Sequence, residues 1–298
     1  MGIGFDADRS GYLCAVLAPI RITRIIDIGA NPIRGNPYSS LMSQGNCNVV
    51  GFEPHPKAFK KLQKTRNGNT NYLPFAVGAG GDEELKICSA SGFTSLLEPN
   101  LATFDALGQF HNRAEVVSRE VIQTRTLDSI DEVGEFDLLK IDIQGGEANV
   151  FDGGKKKLQN ATVVITEVAG IPIYVNQPLM DVQISRLRAL GFEFHKLFST
   201  NNRSFLGRFT DRMHHRRFHS QFVDGDAVFV RSLLSLGNLE TERLKHLSIL
   251  ADGVFDSQDI TVAAMTILQE RGVVTAEAIH TYIDHLPFAQ PREDEIVK

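Results

Sequence analysis

The chain has 298 residues, 42% of them hydrophobic and 22% charged, with a formal net charge of −5. This composition suits a globular protein with a sizeable core and gives no overall pull toward nucleic acid or an anionic membrane. Three cysteines (Cys14, Cys47 and Cys88) without a C-x-x-C spacing argue against a disulfide framework and fit a reducing compartment.

At the start, the apolar run 12–20 is far shorter than the ~20 residues of a membrane span. It contains Pro19 and follows Asp6, Asp8 and Arg9, not a basic leader, and Asp6 stands where a myristoylation site needs Ser or Thr. The expected location is the cytoplasm. Runs of β-branched and aliphatic residues then predict strands at 23–28, 48–53, 70–75, 136–142 and 162–167. Helical stretches fall at 37–45 and 56–66, with Pro56 suited to a first turn. This alternation predicts a parallel sheet with helices on both faces. Strands at 84–88 and 115–126 belong to an insertion around the polar loop SGFTSLLEPN. A helix at 179–190 ends at Gly191 and leads to strands at 192–198 and 226–230. Between these, residues 203–217 hold five arginines and two histidines against one acid, Asp211. From about residue 238 the pattern is helical. Leu244, Leu247 and Ala251 recur at helical spacing, Asp256 is expected to cap a second helix with Asp259 in its first turn, and Thr275 to cap a third. The expected organisation is an N-terminal segment at 1–20, one α/β domain at 21–231 and a helical extension at 232–298. The apolar faces of that extension are open to packing on the core or, in a homo-oligomer, on a second copy.

Ligands of an open parallel sheet bind beyond the carboxyl ends of its strands. At the first such end stand Asp27, Gly29 and Asn31, and Gly29 permits close approach to the backbone. At the second stands Glu53, 26 residues after Asp27, where an acid accepts hydrogen bonds from ribose hydroxyls. No G-x-G-x-x-G or G-x-x-x-x-G-K-[ST] occurs, so the expected ligand carries a nucleoside without a pyrophosphate, with S-adenosylmethionine the leading candidate.

In FDLLKIDIQGGE, Lys140 and Asp142 are two apart on one strand and share a face, which makes Asp142 the expected partner of Lys140. Glu147 and Glu167 are expected beside them. Such a cluster serves as a structural ion-pair network, or as a site that orients a hydroxyl and accepts its proton. No metal is predicted; if one is bound, Asp142, Glu147 and Glu167 are its ligands, although their spacing matches no EF-hand. Asp128 is expected to cap a helix, His55 to sit at a helix start, and Ser95 to reach the site from its loop. His214, His215 and His219 show no metal spacing; with the neighbouring arginines they are candidates to grip an anionic group of the acceptor.

The segments DIGAN, VVGFEPHPKAFKKL, AVG, TSLLEP, RTLDSI, LLKIDIQGGEANVFDGG and VVITE resemble, in order and spacing, the FkbM-type methyltransferases over residues 23–200. The resemblance implies a Rossmann-like class I methyltransferase fold, with a seven-stranded, mostly parallel sheet, and S-adenosylmethionine as cofactor. It implies that Asp27, Gly29, Ala30, Asn31 and Glu53 line the cofactor, that Ala76 and Val77 lie near the adenine, and that Asp142 sits beside the transferred methyl. Lys140, Glu147 and Glu167 would shape the acceptor side. Two positions depart from the family pattern: Ile33 replaces a glycine of the first turn, and Gln144 replaces an acid. The expected activity is O-methyl transfer to a small-molecule or sugar hydroxyl, with Asp142 or Glu167 as base and Lys140 tuning them. A binding module without turnover, docking a partner through the helical tail, is the alternative; an oxidoreductase is disfavoured by the missing glycine fingerprint.

Overall fold

The computed structural model describes residues 6–30, 35–213, 217–231 and 233–290. In chain order its elements begin with α1 (Ala7–Leu17), β1 (Thr23–Ile28), α2 (Ser39–Ser43), β2 (Cys47–Phe52), α3 (Pro56–Lys64), β3 (Thr70–Leu73) and β4 (Ala76–Val77). Next come β5 (Gly81–Cys88), α4 (Leu101–Leu107), β6 (Val116–Arg125), β7 (Leu138–Ile141), α5 (Glu147–Asp152), β8 (Val163–Ala169) and α6 (Met180–Ala189). The chain closes with β9 (Phe192–Leu197), β10 (Asn201–Arg203), β11 (Gln221–Arg231), α7 (Thr241–Gly253), α8 (Gln258–Glu270) and α9 (Ala276–Asp284).

These elements group into two compact units. The α/β unit takes residues 24–30, 49–213 and 217–231. Apart from residue 23 and residues 47–48, it holds an eight-stranded sheet in the order β10-β11-β8-β7-β1-β2-β3, with β9 also paired to β11. β1, β7 and β8 run parallel, as do β2 and β3, while β11 is antiparallel to β8 and β9. The central strands are buried along almost their whole length, as β-branched runs covered on both faces must be. The sequence led to seven strands. The eighth arises because β11 is eleven residues long: its second half pairs with β9 and its first half with β10, so two short strands share one edge.

Ile26, Ile28, Phe52, Leu139, Ile141, Val164 and Phe229 form the main core with Val150, Phe151 and Leu187 from α5 and α6. A second, three-stranded sheet, β4-β6-β5, carries the insertion. The loop between β5 and β6 is not wholly irregular. It contains α4, capped by the Asn100 side chain on Thr103 N and closed by Gly108 at φ +59°. Around it a smaller core gathers Phe104, Leu107, Ile173, Tyr174 and Val223, with Phe93 and Phe110 against them.

The helical unit takes residues 6–23, 35–48 and 233–290. Here the N-terminal segment is a helix, α1, packed on α7 and α9. Its Arg9 Nε donates to Asp252 Oδ1 at 2.7 Å, and the Tyr282 hydroxyl donates to the same oxygen at 2.8 Å. Thr275 caps α9 as expected. Asp256 does not cap α8: it lies at φ +53°, so the cap position passes to Ser257, and Asp256 instead accepts from the Gln258 side chain. Asp128 does not cap its own turn: it lies within it, and its carboxylate accepts the N–H groups of Lys156 and Lys157, 28 and 29 residues further on.

Candidate active site

The carboxyl ends of β1, β2, β7 and β8 bring the polar residues of four sequence segments together. After β1 the chain turns at Gly29 (φ +82°), whose N–H, like that of Ala30, donates to Phe52 O at 3.0 Å. A Cβ on Gly29 would lie 2.0 Å from the Asp142 carbonyl oxygen, so only glycine lets β1 and β7 end side by side. Ala30 is buried with Leu62 and Tyr72. Asn31, Ile33 and Arg34 lie outside the described residues, as do His214 and His215.

Register sets the first ion pair. Asp27 stands opposite Lys140, and the Lys140 ammonium lies 3.4 Å from Asp27 Oδ1. Lys140 therefore pairs first with the neighbouring strand and not, as expected, with Asp142 on its own. Burial works against its charged form, but Asp27, then Asp142 and Asp226, hold its pKa above the ordinary lysine range.

Glu53 follows β2 and is 8% exposed. Its Oε1 accepts the His55 main-chain N–H at 2.7 Å, so it is the backbone of His55 that meets it. No described residue donates to its second oxygen. Burial pushes the Glu53 pKa up to about 7; the His55 N–H opposes this and the nearby Asp27 adds to it. Ala76 and Val77 form β4, buried, and Val77 belongs to the main core.

Beyond β7, Gln144 takes a left-handed conformation (φ +61°) that carries its side chain between two acids. Its amide nitrogen donates to Asp142 Oδ1 at 2.8 Å and lies 3.1 and 3.0 Å from the two oxygens of Glu167. The other end of the amide is fixed by Tyr174, whose hydroxyl donates to Oε1 at 2.7 Å. Ser95 reaches the same loop, donating to the Gln144 carbonyl at 2.6 Å. Asp142 is thus held through Oδ1, while its Oδ2 accepts from no described residue.

Glu167 faces Asp226 across the strand pair. Burial drives its pKa well above the usual range, and Asp142, Glu147, Asp224 and Asp226 reinforce the shift. Glu147 turns back on its own loop: Oε1 accepts the N–H groups of Ile143 and Gly145 at 3.0 and 3.1 Å. Its pKa rises to about 7, again through burial, with backbone N–H groups opposing. The conditional metal set of Asp142, Glu147 and Glu167 is not assembled. Glu147 is spent on backbone and an amide nitrogen stands between the other two, and no group of three metal-ligating side chains occurs among the described residues.

Tyr174, Asp224 and Asp226 were not foreseen. Tyr174 sits in a loop 30 residues after Gln144 with no periodic signal, and the two aspartates enter only through the reversed direction of β11.

The strand order, the antiparallel β11 and the glycine turn between β1 and β2 define a class I methyltransferase fold. The model of the methyltransferase FkbM domain matches residues 27–194, more than half of the chain. The chain belongs to the FkbM methyltransferase family. No curated protein matches. Among solved structures it is similar to magnesium protoporphyrin IX methyltransferase (ChlM) from Synechocystis PCC 6803 with bound SAM, at 12% identity and TM-score 0.36, covering 76% of this chain and 80% of that one. It is also similar to precorrin-6y C5,15-methyltransferase from Geobacter metallireducens GS-15, at 11% identity, TM-score 0.32 and 74% and 84% coverage. A third is the N-methyltransferase NodS from Bradyrhizobium japonicum WM9, at 8% identity, TM-score 0.34 and 75% and 94% coverage.

Proposed function

We propose that this protein transfers a methyl group from S-adenosylmethionine to a hydroxyl of a small-molecule or carbohydrate acceptor, with Asp142 taking the hydroxyl proton. The observation that carries this reading is the Gln144 bridge. It fixes one oxygen of Asp142 and leaves the other without a partner among the described residues, at the end of a central strand. Glu167 is the poorer candidate, because Gln144 faces both of its oxygens and burial favours its neutral form. Lys140 acts through Asp27 and through the field it places beside Asp142.

The donor set fits the cofactor: Glu53, buried and with one oxygen that accepts from no described residue, suits ribose hydroxyls, Asp27, Gly29 and Ala30 adjoin it, and Ala76 and Val77 are assigned to the adenine side; Asn31 is assigned to the cofactor from its place in the sequence alone. When bound, S-adenosylmethionine supplies an electrophilic methyl on a sulfonium. The protein's task is then alignment of the acceptor oxygen at about 3 Å and removal of its proton.

Incubation with methyl-labelled S-adenosylmethionine and fractionated lysate tests this. Label is expected on the oxygen of a small acceptor. Asp142→Asn should lower the rate by about 10²–10⁴ while leaving S-adenosylhomocysteine binding and melting temperature unchanged, because Asn still accepts from Gln144. A fully active Asp142→Asn enzyme, or label on nitrogen or carbon, defeats the assignment. Cofactor binding with no transfer to any fraction leaves the nucleoside-holding module.

A further inference from the structure

The segment between β10 and β11 shows water two kinds of side chain that proteins usually hide or pair. Phe205, Leu206, Phe209, Met213 and Phe218 are all among the exposed large hydrophobics, with Phe209 at 67%. Interleaved with them are Arg208, Arg212 and Arg217, each exposed and none in an ion pair with a described side chain. Elsewhere Arg9, Arg119, Arg186 and Arg243 all face carboxylates. The described part of the segment is folded on itself at several points. Its ends are tied by the Ser204 hydroxyl on Phe218 O at 2.9 Å and by the pairing of Arg203 with Gln221. Its middle is folded by a turn between Gly207 and Thr210. Arg208 lies 5.4 Å from the Phe209 ring, so basic and apolar side chains are neighbours there.

We infer that this loop docks the protein on an anionic lipid surface, the arginines meeting headgroup phosphates and the phenylalanines and methionine entering the acyl boundary. Interfacial binding needs both parts, apolar area for depth and basic residues for attraction. Single-stranded RNA is the poorer fit. Bases stack on aromatic rings but gain nothing comparable from Met213. The loop also joins the wall beside the candidate site: Leu206 N donates to Ala106 O at 2.8 Å, and the Arg203 guanidinium lies 5.2 Å from the Phe110 ring, in the cluster that contains Tyr174. If the methyl-transfer reading holds, the acceptor is then an amphiphile whose hydroxylated head is presented at that surface.

Flotation of the full chain with vesicles of phosphatidylcholine alone, and of phosphatidylcholine with phosphatidylglycerol, tests the docking without any acceptor, so its outcome is separate from that of the methylation assay. The protein is expected to float with the second and not the first, and to be released by high salt. Arg208→Ala, Arg212→Ala and Arg217→Ala should each weaken binding about fivefold, and the triple variant about a hundredfold. Phe205→Ser with Phe209→Ser should abolish retention while circular dichroism stays unchanged. Absence from both vesicle populations overturns the inference, including the case in which the protein captures single-stranded RNA or self-associates. Equal binding to both vesicles, or unchanged binding by the triple arginine variant, overturns it too.

Discussion

Two regions of this protein bury carboxylates, and they do so under different conditions. In the helical unit Asp252 is met by Arg9 and by the Tyr282 hydroxyl, both on the same oxygen, and all three side chains are almost completely covered. At the strand ends of the α/β unit, buried Asp27, Glu147 and Glu167 gather with half-buried Asp142, Asp224 and Asp226 near the Lys140 ammonium and the Gln144 amide. The first arrangement balances its charge. The second carries a surplus of acid: burial first, and then the neighbouring acids, raise the pKa of Glu167, and one Asp142 oxygen accepts from no described residue. A structural pair needs no such surplus; a site that must accept a proton does.

The contrast can be broken most severely on the balanced side. Asp252→Ala leaves the Arg9 guanidinium buried without its carboxylate and should cost about 3–5 kcal/mol of unfolding free energy in a denaturant titration. The surplus side should respond in the opposite direction. Glu147 has a folded pKa of about 7 against an ordinary 4.5, so between those values the native state binds more protons than the unfolded one and stability falls as pH rises. Glu147→Gln keeps the acceptor for the Ile143 and Gly145 N–H groups and removes the charge. It should stabilise the protein by about 2–3 kcal/mol above that window and flatten the pH dependence of thermal unfolding. A destabilised variant at alkaline pH would show that Glu147 is needed as an anion. The smallest effect concerns ligand affinity. Glu53 also has a pKa of about 7, and only its anion accepts from two ribose hydroxyls. Calorimetry should therefore show S-adenosylhomocysteine binding strengthening severalfold as pH rises through that value, and Glu53→Gln should remove the trend.

Some of this is legible in the sequence alone. The parallel core strands announce themselves as apolar runs, because a strand covered on both faces has no polar alternation to keep. The segment ends carrying Asp27, Glu53, Lys140, Asp142 and Glu167 follow from where those runs stop. α4 was overlooked although Asn100 and Gly108 cap it, because seven residues inside a polar stretch leave too little periodicity to see. Asp256 was misplaced as a cap because its left-handed backbone, forced by the turn from α7, is not encoded in residue type.

What the sequence determined by itself was the fold class, the positions of the sheet's central strands along the chain and the polar residues at the ends of those strands, since hydrophobic period and strand-end chemistry are local properties. What only the tertiary structure decided was who meets whom. Lys140 turns to Asp27 because parallel register sets those residues opposite each other. Gln144 bridges Asp142 and Glu167 because a positive φ swings it inward and Tyr174, from a distant loop, holds its amide the right way round. These are contacts between segments far apart in the chain, and their energies depend on burial and distance, which no single stretch of sequence contains.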